Sequence, residues 1–593
     1  MARIPFTVTK ITSSGKKKIK LPLPSKGVNF NSENMKSTGD RCVTMKNLIC
    51  TDSCISSRGT FEKNTVPVFE QGSFHSMTSR DFCGKNIIHA GTVLYGLCED
   101  EGEAQVIFEG VPDKNSFFCE FGSKLYLYCD SHVYSVDRDF NCTEQFPEAP
   151  LYMEKIRPST GMHGEKVEGF RYNFIAPFIS VKFEGVDGDY YSVELPLARD
   201  MTREVKIHSN GKPLTLKVSN STEKVLYTEE NLKNKTVTVE YCLKDPSHID
   251  FDDSFSKCTF CTTYGGTGSE GTRIFASGSE KRRGEYFKGE LMNPLFFKSD
   301  SVEKLGDGSD GITCFAKMYD KLLIFTDRSI YKMSYSVTES GGFFGTVPIN
   351  SLIGCDMPGS VRLVENRVVF ASSREGVFII NSTAETGEMN IFPISGNINK
   401  TSDGLLGVEK SMLTKAQSLD HDGKYILFAG GKMFIWDYSL CGFSASRGYE
   451  NSQGCLVWYV WEGIEGDLLF RSSQSIFILD TQKGILSRYI SEKQVSDGAF
   501  ITEEQDFSLP HMKKKVYSMS FDMKAGKDSE VILTLYADGV PYYGVSIYST
   551  KNERAHIDMK LPSVPCYRFS YGLASEDGFF ELYGVSAKAV MVR

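Results

Sequence analysis

Cys258-Thr259-Phe260-Cys261 is the one C-x-x-C spacing in the chain and the first place to look for chemistry. A structural zinc site needs two further thiolate or imidazole ligands at workable spacing, and no second C-x-x-C follows. With the glycine turn Tyr264-Gly265-Gly266 just beyond, the pair reads as buried thiols beside a turn. GDGSDGIT, Gly306 to Thr313, sets Asp307 and Asp310 in the manner of a calcium loop but lacks the bidentate Glu that closes an EF-hand, so a tight turn before a strand is expected. The nine histidines are scattered, and none has a second at metal-ligand spacing. GxxxxGK[ST], G-x-S-x-G and HExxH are all absent. The expectation is a chain with no catalytic residues, no cofactor and no metal site, and hence not an enzyme.

The elements that would position any such residue are repetitive. KLYLYCDSHVYSVD from Lys124, KLLIFTDRSIYKMS from Lys321, RVVFASSREGVFIIN from Arg367, KYILFAGGKMFIWD from Lys424 and DLLFRSSQSIFILD from Asp467 share one pattern. Each is an apolar run, a small or polar turn, then an aromatic flanked by aliphatics, which is the signature of a hairpin. The anchors Tyr331, Phe378, Phe434 and Phe477 lie 47, 56 and 43 residues apart, close to the ~40 to 50 residues of a propeller blade. Lys85 to Val111 and Gly271 to Leu291 supply further candidates, for six or seven sheets in all. The expected fold class is all-β: a β-propeller of six or seven blades with an inserted β-sandwich domain, each hairpin being the inner or middle strand pair of a blade.

One interval breaks the rhythm, since 197 residues separate Tyr134 from Tyr331. Within it, Gly169 to Asp245 alternates apolar and polar residues around the turn signals VDGD and SNGK. The expected organisation is therefore an N-terminal arm and lead-in segment over 1–68, first blades over 69–165, the inserted sandwich over 166–246, remaining blades over 247–490, and a C-terminal β region over 491–593 that either closes the propeller or stands as a separate domain.

Composition agrees with strands. The 28 Tyr, 41 Phe and 53 Gly favour sheets and turns, and 593 residues exceed what one core supports. Sixteen cysteines without dense, even spacing fit a reducing compartment. No apolar window reaches the ~18 residues of a membrane span, and the first residues lack a secretory core, so a soluble chain made in the cytoplasm is expected. The sequons at Asn220 and Asn381 carry little weight without export. A net charge of −8 argues against broad phosphate neutralisation. The two lysine runs, in Ser13 to Pro24 and His511 to Tyr517, read first as a solvated arm and a solvated loop, and second as a phosphate or partner contact.

Several segments, taken in order, resemble the tail proteins of tailed bacteriophages, chiefly the nozzle, hub or packaged-DNA stabilisation proteins of short-tailed phages. They are Met45 to Asn64 with the Arg58-Gly59 pair, Cys258 to Asp300 with its R-I-F-A-S-G strand and N-P-L-F-F turn, Leu305 to Met333, and Gly354 to Asn381. FPISGNINK (Phe392 to Lys400) and DGKYILFAGGKMFIWDY follow in the same order, so the likeness spans about Met45 to Tyr438. The resemblance implies a virion structural protein that forms a homo-oligomeric, sixfold ring around the DNA exit channel. Its implied partners are itself, neighbouring head-tail or tail proteins, and passing double-stranded DNA without sequence-specific contacts. An acidic wall would let DNA pass without gripping it. The alternative is a distal-tail adhesin that contacts glycan on the host cell surface through the insert or through Trp458, Tyr459 and Trp461, although those aromatics read more readily as core.

Overall fold

The computed structural model describes residues 17–30, 40–51, 53–97, 104–156, 172–184, 191–217, 222–266, 271–338, 341–382, 389–399, 405–440, 456–549 and 551–592. Among them the chain is almost wholly β, and Lys410–Leu413 is the one α-helix. The strands form many small sheets, seven of them four-stranded and antiparallel. The chain divides into two units: Pro67–Asp356 with Thr481–Gly484, and Met1–Val66 with Met357–Asp480 and Ile485–Arg593.

The first of these units holds four of the four-stranded sheets, each a meander of consecutive strands, over residues 74–109, 116–145, 260–304 and 312–350. In the second sheet the expected hairpin is the middle pair, Lys124–Cys129 with His132–Val136. Its turn residues Asp130 and Ser131 take φ of 43° and 65°, the left-handed pair that matches the twist of flanking strands. Between the second and third sheets lies the insert. Leu151–Ile156 runs parallel to Phe178–Glu184, which pairs with Thr236–Cys242. Lys206–Ser209 and Lys212–Pro213 complete five strands, and Ser192–Glu194 with Val225–Tyr227 form a two-stranded sheet. Both sheets share a core of Val181, Phe183, Val193, Leu226, Val239 and Tyr241, so the insert buries its own apolar layer. It begins earlier than the apolar alternation indicated, because Leu151–Ile156 joins it as a parallel strand.

The other unit holds the remaining three four-stranded sheets. Two are meanders over 362–393 and 417–461. The third is Leu468–Ser472, Ser475–Asp480 and Ile485–Gln494, and its fourth strand is Gly59–Lys63 from near the other end of the chain. Tyr489 faces Phe61 and Ile490 faces Thr60 in that pairing. The expected hairpin here comprises the first and second strands rather than the middle pair.

Residues 499–592 contribute no strand to the four-stranded sheets. They build two larger sheets with N-terminal strands as partners. One runs Leu48–Cys50, Ile55–Ser57, Phe580–Val592, Lys513–Ala525, Arg554–Lys560, with Lys17–Leu21 also on Phe580–Val592. The other runs Cys42–Lys46, Ala499–Thr502, Phe569–Asp577, Glu530–Ala537, Val540–Tyr548. Their inner faces meet: the Phe521 and Tyr571 rings lie 6.3 Å apart and Phe500 lies 5.9 Å from Tyr571. The described part of the expected N-terminal arm is thus no arm, since Lys17 to Lys63 supplies strands to three sheets. Alternation in KKIKL explains this: Ile19 and Leu21 turn inward while Lys18 and Lys20 face solvent.

Candidate functional site

The residues singled out for chemistry are placed as structure. Cys258 is buried with its thiol directed at the Ser254 carbonyl, 3.9 Å away, and burial pushes its pKa up. The Cys261 thiol donates to the Phe118 carbonyl at 3.0 Å, and the neighbouring Cys119 thiol together with burial pushes it well up. A thiol so raised is a poor nucleophile and a poor metal ligand. Neither Cys258 nor Cys261 is in a disulfide. Asp307 accepts from the Ser309 backbone at 2.9 Å and from its hydroxyl at 2.7 Å, while Asp310 accepts from Ser329 at 3.3 Å, so the two carboxylates serve different turns. No group of three His, Cys, Asp or Glu among the described residues is placed to hold a metal ion. No described helix is long and apolar enough to cross a membrane. Asn220, Ser221 and Thr383 of the sequons lie outside the described residues.

Trp458, Tyr459 and Trp461 form one buried strand whose polar atoms are spoken for. Trp458 Nε1 donates to Ile394 O at 2.8 Å, Tyr459 hydroxyl to Asp437 at 2.8 Å, and Trp461 Nε1 to Leu48 O at 3.0 Å. They are core, and no sugar can stack on them.

Sequence reasoning gave no sign of a cleft of about 540 Å³ in the second unit, lined among others by His421, Lys424, Ser475, Arg488 and Glu492. Arg488 Nη2 donates to Ser475 Oγ at 3.0 Å. Burial, then the field of Arg471, pushes His421 below its ordinary pKa, so the ring is neutral near pH 7. Ser475 therefore faces a guanidinium, which cannot take its proton, so this pair is not an activated nucleophile. The polar side chains here are suited to binding a small polar group. No spacing in the sequence could have announced the cleft, because its lining comes from Ile49 near one end of the chain and from two different four-stranded sheets.

One buried histidine makes a pH prediction. His89 is fully buried, its Nδ1 2.8 Å from Ser116 Oγ, and its Nε2 has no partner among the described residues. The His75 ring stands 4.8 Å away and is itself 2.6 Å from Asp113. Burial, then the charge of His75, pushes His89 down to about 4. The folded state then resists a proton that the unfolded chain accepts near pH 6.5. Stability is full above pH 6.5 and falls as pH drops toward 4, by about 3 kcal/mol in total at this site. Thermal melts across pH 7 to 4 check this: His89→Asn is expected to flatten the slope in that window, and an unchanged slope counts against the assignment.

Comparison with known proteins places few constraints on the chain. No family model and no curated protein matches it. Among solved structures, a chain of the mitotic checkpoint complex is 8% identical, with a TM-score of 0.31, covering 72% of this chain and 96% of that one. Hsv2 of Kluyveromyces lactis is 8% identical, with a TM-score of 0.31, covering 74% and 95%. An exo-β-1,3-galactanase of Phanerochaete chrysosporium is 8% identical, with a TM-score of 0.21, covering 88% and 99%. Likeness at this level carries no argument about what the chain does.

Proposed function

We propose that this chain is a structural protein of a bacteriophage virion, a subunit of a tail nozzle or hub whose seven four-stranded sheets are the blades of a β-propeller. Copies assemble as a ring, sixfold by resemblance, around the DNA exit channel, where they contact neighbouring tail proteins and let double-stranded DNA pass without reading it. One observation carries the reading. The segments that resemble those tail proteins coincide with the joints of the fold: Arg58-Gly59 opens the strand that completes the last four-stranded sheet, and the Asn293 to Phe297 turn is clamped by the buried Asn173. The adhesin alternative loses the Trp458 to Trp461 stretch, which is buried, and retains only the insert.

Electron microscopy of the purified chain, with its mass in solution, tests the proposal. Annuli of a fixed number of copies with an open centre are expected, in solution or after addition of the adjoining tail components. A chain that stays monomeric in both settings and is missing from purified virions overturns it.

A further inference from the structure

The two lysine runs, far apart in the chain, come together on one sheet. Lys17–Leu21 and Lys513–Ala525 flank the strand Phe580–Val592 on its two sides, and Arg554–Lys560 lies beyond the second. On the outward face Lys18 stands directly opposite Lys588, Lys588 opposite Ser518, and Ser518 opposite Lys560. Lys20 and Lys515 point the same way from neighbouring positions. Lys18, Lys20, Lys560 and Lys588 are exposed. With strands ~4.8 Å apart and alternate residues ~6.8 Å apart, the five amines arise within a patch about 15 Å across.

The two ends of this face are built differently. At one end the cations are matched: Arg554 bonds Asp522 at 2.8 Å and Lys524 bonds Glu581 at 3.3 Å. At the other end Lys18, Lys20, Lys515, Lys560 and Lys588 form no ion pair among the described residues. The single carboxylate among the described residues of that end, Asp558, accepts from the Ser520 hydroxyl. That bond is the main reason its pKa sits low, with the charges of His556, Lys588 and Lys18 adding to it. Like charges directly opposite one another cost stability, so lysines paired across strands without acids call for an anionic occupant.

We propose that this face holds the phosphodiester backbone of a nucleic acid, without sequence preference. The residues between the lysines are Ser518, Ser520 and Ser586, which can bond phosphate oxygens but do not offer the Arg, Asn or Gln forks that read base edges. None of the four strands carries an exposed large apolar side chain, which a membrane-surface site would insert. Lysine is depleted from interfaces between proteins, which disfavours a second copy of the chain as occupant. The net charge of −8 does not oppose the site, because charges beyond about 8–10 Å are screened at physiological salt. The inference rests on this sheet alone and is independent of the virion reading.

Fluorescence anisotropy with a short labelled DNA duplex of arbitrary sequence, read against salt concentration, tests it on the full chain. Log K is expected to fall with log salt at a slope of at most about −4.5, from five lysines at about 0.9 each. A second duplex of unrelated sequence should bind equally. The double variant Lys18→Ser with Lys588→Ser should reduce the slope by about 2, whereas Lys524→Ser at the ion-paired end should leave it unchanged. The double variant removes exposed amines and Lys524→Ser a half-buried, ion-paired one, and retained cooperative thermal melts will show that the fold is intact in both. No binding at low salt, an unaltered slope in the double variant, or an equal loss in Lys524→Ser overturns the proposal. Tighter binding to anionic phospholipid vesicles or to heparin than to DNA also overturns it.

Discussion

Arg58→Ala is expected to destabilise the unit that contains it by about 3–5 kcal/mol, the cost of dismantling a buried, charge-assisted network. The guanidinium uses its whole fork: Nε donates to Asn47 Oδ1 at 2.9 Å, Nη1 to Gly59 O at 2.8 Å and Nη2 to Glu462 O at 3.0 Å. It also lies 5.7 Å from the centre of the Trp461 ring. Burial pulls its pKa down, yet it stays charged because an arginine starts so high. Asn47 is shared between two tasks, accepting also from Glu462 N at 2.7 Å and donating to Asp497 at 2.9 Å. Three parts of the chain, near residues 47, 58 and 462, thus meet on one side chain. Arg58→Lys keeps the charge but can reach only part of this fork, so most of the loss should remain. Hydrogen exchange gives the local readout: the amides of Thr60 and Glu62, at the hydrogen-bonded positions opposite Ile490 and Arg488, should lose protection in both variants. Gly59→Ala is the companion test, because a Cβ there would stand 2.3 Å from the Ile490 carbonyl oxygen. Protection unchanged in Arg58→Ala would mean that the strand is held by its ladder alone.

How much of this was legible in the sequence depends on the range of the contact. The hairpins could be read because apolar run, turn and aromatic lie within fifteen residues of one another, and four of the five are the middle pair of a sheet. At Gly430-Gly431 the reading even extends to the turn, where φ of 57° and 73° takes the left-handed pair that two glycines allow. The strand Gly59–Lys63 shows the opposite case. GTFEK is too short to state its partner, and that partner, Ile485–Gln494, lies over 400 residues away. The same limit hid the lysine face. KKIKL and KKKVY each read as solvated, yet KKKVY opens a strand in which Lys514 is buried and donates to Leu509 O and Tyr567 O, and only the pairing of both runs with Phe580–Val592 makes the outward lysines neighbours. Trp458, Tyr459 and Trp461 were ambiguous for a different reason: WYVW has no polar residue to mark an outward face, as befits a strand buried on both sides. Of the two thiols expected to be buried, Cys258 is buried and Cys261 only half-buried, because Cys261 lies on the strand Phe260–Tyr264, whose first four residues are partly exposed.

Asn173→Asp should be as damaging as Arg58→Ala, at about 3–5 kcal/mol, and its pH dependence should identify the cause. Asn173 is fully buried, and its amide makes four bonds. Nδ2 donates to Glu148 O at 2.9 Å and to Leu295 O at 2.7 Å, while Oδ1 accepts from Ile175 N at 3.1 Å and from Phe297 N at 3.1 Å. It thereby joins the chain leaving the second four-stranded sheet, the segment returning toward the insert, and the Asn293 to Phe297 turn that precedes the next strand. The substituted carboxylate keeps the acceptor but replaces the doubly donating nitrogen by one oxygen that faces two carbonyls, in a site without solvent. Burial must raise the folded-state pKa of that carboxyl above its unfolded value near 3.9. A raised acid is stabilising below the unfolded pKa and loses that contribution as pH rises through the folded one. The deficit of Asn173→Asp relative to the native chain should therefore be smallest near pH 4, where the protonated carboxyl recovers one donor, and grow toward neutrality. Asn173→Leu, similar in volume but with no polar atom, takes the side-chain partner from Glu148 O, Ile175 N and Phe297 N at any pH, while Leu295 O keeps Glu148 N at 3.2 Å, so its deficit should be large and flat. Melting temperatures of the three proteins between pH 4 and 8 separate the cases. If the two variants trace parallel curves, the site is held by packing, and the four hydrogen bonds of Asn173 do not govern how the turn is fixed.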